Sequence, residues 1–231
     1  MSEQINHAVT GFVSVSVRAS ATASVRANLS VTHILSAALF SRNAGSIESA
    51  HAGQAFGEFW EDIQSNSIAS VLTSVAALEA YANELFVDYA KVFPELRLEV
   101  MAKLWELYEQ KPILEKYEFA LILRQGPAFD RGAPLYRDIS ALIKLRNALT
   151  HYKPEWSHEQ AEHAKVSGVI KGKACASPFF PPSESLFPRA WASHGSTQWS
   201  VRSVVSFILD FEKRSGIESR FAPFVERLSK I

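Results

Sequence analysis

The chain has 231 residues, of which 47% are hydrophobic and 21% charged. That mix folds a core rather than staying disordered, and the length allows one large domain or one domain with a small appendage. Its 24 basic and 24 acidic residues cancel, which removes the global signature of a nucleic-acid binder; Cys175 is the only cysteine, which excludes an intrachain disulfide, and no run of about 18 apolar residues or secretory leader is present, so a soluble cytoplasmic protein with no membrane partner is expected.

The first segment alternates strictly. Val13, Val15, Val17 and the small residues that follow, up to Leu29 and Val31, are apolar, and Ser, Thr, Arg or Asn stands between them. Period two is the pattern of a strand, and the length of the run predicts a hairpin turning near residues 20–23. A short helix is expected over 32–41, closed by Asn43-Ala44-Gly45. Residues 1–45 therefore read as an extended or hairpin segment plus a short helix, and 46–231 as a helical domain.

Within that domain the fold class reads as mainly α. Residues 56–92 contain no proline, and Ile68, Val71, Leu72, Val75, Leu78, Ala82, Leu85, Phe86 and Tyr89 recur at helical spacing until Pro94. Further helices are expected over 95–110 and 113–124, the latter before Gly126-Pro127. Another runs from Pro134, well suited to a first turn, to about 152. A short polar helix over 156–165 and a proline-rich loop over 166–196 follow. Then comes a helix over 198–214 with Thr197 as cap and Gly216 as terminator, and a last helix over 218–229.

Charge is unevenly spread. Residues 48–115 hold 12 acidic against 4 basic side chains, 124–153 hold 6 basic against 2 acidic, and 165–214 hold 7 basic against 3 acidic. Such basic segments either attract phosphates or pack beside the acidic helices.

The helix starting at Pro134 carries the chemistry. At about 100° per residue, Leu135, Ile139, Leu142, Ile143, Leu145 and Leu149 form its buried stripe, and Arg146 falls inside that stripe. Asn147 and His151 are four apart and share a flank, whereas Arg146 and His151 are five apart, about 140° around the helix. A guanidinium among hydrophobes cannot shed its charge and needs an acceptor. Glu79 lies in the apolar stripe of the first long helix beside Val75 and Ala82. It is therefore expected to pair with Arg146, directly or through Asn83 or Asn147.

Arg146-Asn147 followed by His151 resembles the signature of HEPN domains, an Arg and a His four to six residues apart. Leu78-Glu79-Ala80-Tyr81 resembles the first bundle helix of that family, and a late helix after a linker bearing tryptophan, here Trp191 and Trp199, is similar too. The resemblance spans about residues 47–214. It implies an up-and-down helical bundle that forms a homodimer, with the Arg and His of both chains meeting in a cleft. It also implies a metal-independent endoribonuclease, a toxin or phage-defence component, with RNA as substrate and an antitoxin or nucleotidyltransferase as partner. In that reading His151 moves protons at the ribose 2′-OH and the leaving 5′-oxygen, Arg146 stabilises transition-state charge, and Asn147 orients the imidazole or contacts phosphate. No cofactor or metal is required. Glu79, Asn83 and Tyr152 support the site. Some HEPN toxins carry a tyrosine two residues beyond the His, where a nucleotidyltransferase modifies it; here Tyr152 follows immediately and Lys153 takes that place. Other members are non-catalytic modules that bind a partner protein or a nucleotide.

The remaining candidates are weaker. His158 and His163 are five apart and lack the spacing of a zinc helix. Cys175 reads as a bystander thiol, and Ser193-His194-Gly195 lacks the strand-turn-helix setting of a hydrolase elbow. Phe179, Phe180, Phe187 and Trp191 either stack bases or anchor the loop on the core.

Overall fold

The computed structural model describes residues 27–156 and 158–231. The expected hairpin lies outside the described residues. Among these the chain is a bundle of helices with no strand: α1 (Ser30–Ala50), α2 (Phe59–Val87), α3 (Tyr89–Val92), α4 (Leu98–Tyr108), α5 (Ile113–Leu123), α6 (Pro134–Thr150), α7 (Ala161–Ile170), α8 (His194–Ser215) and α9 (Val225–Ser229). No described helix is long and apolar enough to cross a membrane.

The centre of the bundle is α1, α2 and α8, with α5 and α6 packed against α2 and α8, and α7 against α6. Small side chains are buried on both α1 and α2, which pack closely: Ala37, Ala38, Ser41 and Ala44 on one, Ser67, Ser70, Ser74 and Ala77 on the other. Small residues let two backbones approach closely, and the Ser70 hydroxyl donates to the Ala37 carbonyl across the contact at 3.0 Å. Larger side chains, among them Tyr81, Leu85, Tyr117, Leu142, Phe207 and Phe211, fill the core towards α5, α6 and α8.

The expected short helix over 32–41 is corrected to the 21-residue α1, which takes in Val31 from the end of the alternating run and passes through Asn43-Ala44-Gly45 beyond residue 45. Gly45 serves packing here, not termination. A Cβ on it would stand 2.6 Å from Nδ1 of His194 and 2.8 Å from two ring carbons. His194 in turn donates from Nδ1 to the Ser41 carbonyl at 3.0 Å, and Glu48 of α1 accepts the His194 amide at 3.0 Å. These contacts outweigh the roughly 1 kcal/mol that a mid-helix glycine costs. Gly45→Val is expected to destabilise the fold by about 1–3 kcal/mol, because the ring or the helix must shift; a denaturant midpoint unchanged from wild type would contradict this close approach. The N-terminus of α1 is closed from afar as well, since Glu84 of α2 accepts from the amides of Leu29 and Ser30 and from the Ser30 hydroxyl.

Other boundaries move for similar reasons. The helix expected over 56–92 is split at Asp88 into α2 and α3. The one expected over 156–165 begins at Ala161 and runs to Ile170, because the Glu155 carboxylate accepts the amides of Glu162 and His163 at 3.0 and 2.9 Å. That shortens the expected 166–196 loop at its start. An irregular turn at Leu186–Ala190 interrupts it, and α8 ends it early at His194. Ser193, not Thr197, caps α8, its hydroxyl accepting from the Ser196 amide; Gly216 ends the helix with φ of 65°, as expected. The last helix shrinks to a tight turn at Ala222–Phe224 followed by α9.

Candidate functional site

Arg146 reaches from α6 to α2. Its Nη2 stands 3.5 Å from Oε2 of Glu79, with 26% of the Arg146 side chain and 46% of the Glu79 side chain exposed. The expected pair forms, at the surface edge of the α2–α6 contact rather than deep in the core. Arg146 Nε is buried and has no hydrogen-bond partner among the described residues. Exposure on this scale lets solvent screen the pair, so its role is orientation of the guanidinium more than stability.

Asn83, one turn beyond Glu79, does not meet Arg146; it accepts a hydrogen bond from the Lys116 ammonium of α5 at 2.9 Å. Lys116 is only 3% exposed, and its ammonium lies 5.5 Å from the centre of the Trp105 ring. Burial pushes its pKa down, while the nearby Glu79 and Glu109 carboxylates act in the opposite sense. Glu79 therefore stands between two cations on different helices. Sequence reasoning missed Lys116, yet the signal was present: it occupies a core position between Ile113 and Tyr117, where the helical pattern calls for a hydrophobe.

His151 and Asn147 lie on the other side of α6. Both are exposed, and the His151 amide closes the helix by donating to the Asn147 carbonyl at 2.9 Å. Arg137, Lys144 and His151 recur every seven residues and are all exposed, so they form one solvent-facing line about 10 Å apart. Asn147 falls on the same face. The other basic residues of this region are occupied: Arg124 donates to the Ser215 and Val92 carbonyls, and Arg131 grips Glu118 with two hydrogen bonds. Arg137, Lys144 and Lys153 make no ion pair among the described residues. Both readings of the basic segment thus apply, half of it packing against neighbours and half facing solvent.

The connection after His151 is tightly built. Tyr152, half-exposed, stacks on His163 with ring centres 5.5 Å apart and lies 6.1 Å from Phe187. His163 is buried and donates from Nε2 to the Lys153 carbonyl at 2.9 Å. The hydrogen bond from the His163 amide holds the Glu155 carboxyl below the ordinary glutamate range, against the opposing effect of burial and with help from the Glu162 amide. A lowered carboxyl pKa contributes stability above its unfolded value, and that contribution is lost as pH falls through the folded value. Protection of the Glu162 and His163 amides from hydrogen exchange is therefore expected to weaken below about pH 4, the ordinary glutamate range; protection independent of pH there would contradict the cap.

The aromatic loop residues serve as anchors. Phe179 packs on Phe59 at 4.9 Å and Phe180 on Trp60 at 4.8 Å, while the buried Trp191 donates its indole N–H to the Pro188 carbonyl. Cys175 is exposed beside the start of α8, its carbonyl accepting from the Ser193 and Ser196 hydroxyls. The surface cavities of about 210 to 490 Å³ near α3, α5, α8 and the turn after α1 are lined by neither Arg146, Asn147 nor His151. Comparison with family models, with curated proteins and with solved structures finds no match to this chain.

Proposed function

We propose that this protein is a metal-independent endoribonuclease of HEPN type that acts as a homodimer, in a toxin or phage-defence setting. The observation that carries the reading is the solvent face of α6. Arg137, Lys144, Asn147 and His151 line it, all exposed, and no ion pair among the described residues neutralises its two cations. Such a face attracts a phosphate backbone despite the neutral net charge. In a homodimer, the Arg146 guanidinium of the mate, oriented by Glu79 at its α2–α6 edge, adds a donor suited to phosphate.

The chemistry follows from the residue types. The imidazole of His151 takes the proton of a ribose 2′-OH as that oxygen bonds to the adjacent phosphorus. The P–O5′ bond breaks, and a protonated imidazole returns a proton to the leaving 5′-oxygen. The products are a 2′,3′-cyclic phosphate and a 5′-hydroxyl end. The nucleophile belongs to the substrate, so the route needs no metal-activated water.

The position of Arg146 about 140° from His151 on one helix favours a second reading, a non-catalytic helical module that binds RNA or a partner through the same face. Incubation of the purified chain with mixed RNA in EDTA separates the two. Cleavage leaving cyclic phosphate ends supports the nuclease. Binding without cleavage supports the module, and neither binding nor cleavage overturns both as RNA readings.

A further inference from the structure

Trp156 is 75% exposed, the highest value among the large apolar side chains described. It makes no ring contact and no hydrogen bond from its indole among the described residues, unlike Trp60, Trp105 and Trp191. A bare tryptophan on a floppy tail would mean little, but this one follows a segment tied to α7 by hydrogen bonds and ring stacking. Glu155 beside it is fixed by the two amides that open α7, Lys153 by His163, and Tyr152 by stacking on His163. The Glu159 amide closes a turn back onto the Trp156 carbonyl at 2.9 Å. The chain leading up to the ring is thus held by hydrogen bonds, while the ring itself stands exposed.

Trp156 stands five positions after His151, a span of at most about 18 Å and so within reach of a few nucleotides. Between and beside them lie Lys153, Lys144 and Arg137, exposed and without ion pairs among the described residues. Tracking cations with an adjoining free aromatic face is how proteins hold single-stranded nucleic acid, the cations following the backbone and the ring taking a base. A base inside a duplex is already stacked on both sides and cannot reach such a ring.

We propose that Trp156 is a stacking platform for an unpaired nucleobase of an RNA strand laid along the solvent face of α6. The site selects single-stranded over double-stranded RNA and sets which phosphate meets His151. This deepens the nuclease reading and rests on RNA being the ligand of that face.

The test measures the affinity of the full chain for a short fluorescent oligouridylate and for a duplex of mixed sequence, with wild type, Trp156→Ala, Trp156→Phe and Lys144→Ala. Trp156→Ala is expected to weaken the single-strand complex about ten-fold, with the duplex little affected and Trp156→Phe close to wild type. Lys144→Ala is expected to weaken both and to flatten the salt dependence. The ring is exposed, so thermal melts of the variants should match wild type. If Lys144→Ala weakens binding and Trp156→Ala does not, the platform is wrong and the RNA face stands. If wild type binds neither oligonucleotide, the RNA reading itself fails. If Trp156→Ala leaves RNA affinity intact but dissociates a dimer in sedimentation, the ring is a subunit contact and the platform is overturned.

Discussion

Glu212→Ala is expected to destabilise the fold by about 2–4 kcal/mol, because several buried donors lose one shared acceptor. Glu212 of α8 is 3% exposed and gathers three donors. The Tyr81 hydroxyl of α2 donates to its Oε1 at 2.9 Å, the Arg220 amide donates to the same oxygen at 2.8 Å, and the Ser219 hydroxyl donates to Oε2. The carboxylate thereby ties α2 to α8 and folds the chain after Gly216 back onto the bundle. Burial, then the Glu212 charge, push the Tyr81 phenol well above its ordinary pKa, so it stays protonated and remains a donor. Alanine at 212 strands that buried hydroxyl, a cost of about 1–3 kcal/mol by itself. It also loosens the turn that places Arg220 beside Asp88 and Glu84. A double-mutant cycle with Tyr81→Phe should return a coupling above about 0.5 kcal/mol. A denaturation midpoint for Glu212→Ala within experimental error of wild type would show that the network holds nothing together.

That network was not legible in the sequence, and the reason generalises across this fold. Local signals worked where the physics is local. The helix expected over 113–124 appears as Ile113–Leu123, Pro134 opens α6, and the left-handed Gly216 closes α8. Reading failed where one segment completes another far away. Glu84 caps α1 from 54 residues on, Glu48 binds the first amide of α8 from 146 residues back, and His194 requires Gly45 to lack a side chain. None of these carries a capping pattern in adjacent residues. The Glu79–Arg146 pair was readable because each charge interrupts an apolar stripe. Lys116 interrupts one in the same way and was passed over. Trp156 was assigned to a helix because the carboxylate that starts α7, Glu155, acts across seven residues and not through a neighbouring cap. The separation of Arg146 from His151 followed from helix geometry alone; the exposure of His151 depended on which face α7 and α8 leave open.

His151→Ala is expected to lower the rate of RNA cleavage about 10²- to 10⁴-fold, the usual loss when a positioned acid–base group is removed. Its side chain is exposed at the end of α6, so the change should leave the melting temperature unaltered and confine the defect to chemistry. Arg146 differs. It is three-quarters covered and paired with Glu79, so Arg146→Met is expected to lose activity along with some packing, and Arg146→Lys to recover the packing better than the rate, since an ammonium lacks the planar fork that grips phosphate. The two residues face apart on one helix, which makes their cooperation testable by mixing. In a symmetric dimer whose site joins Arg146 of one subunit to His151 of its mate, combining inactive Arg146→Met chains with inactive His151→Ala chains creates hybrids with one intact composite site. After subunit exchange, about a quarter of wild-type activity should return. A mixture as inactive as its components would place both groups in the same subunit. Equal activity of His151→Ala and wild type would end the catalytic assignment and leave the α6 face as a binding surface.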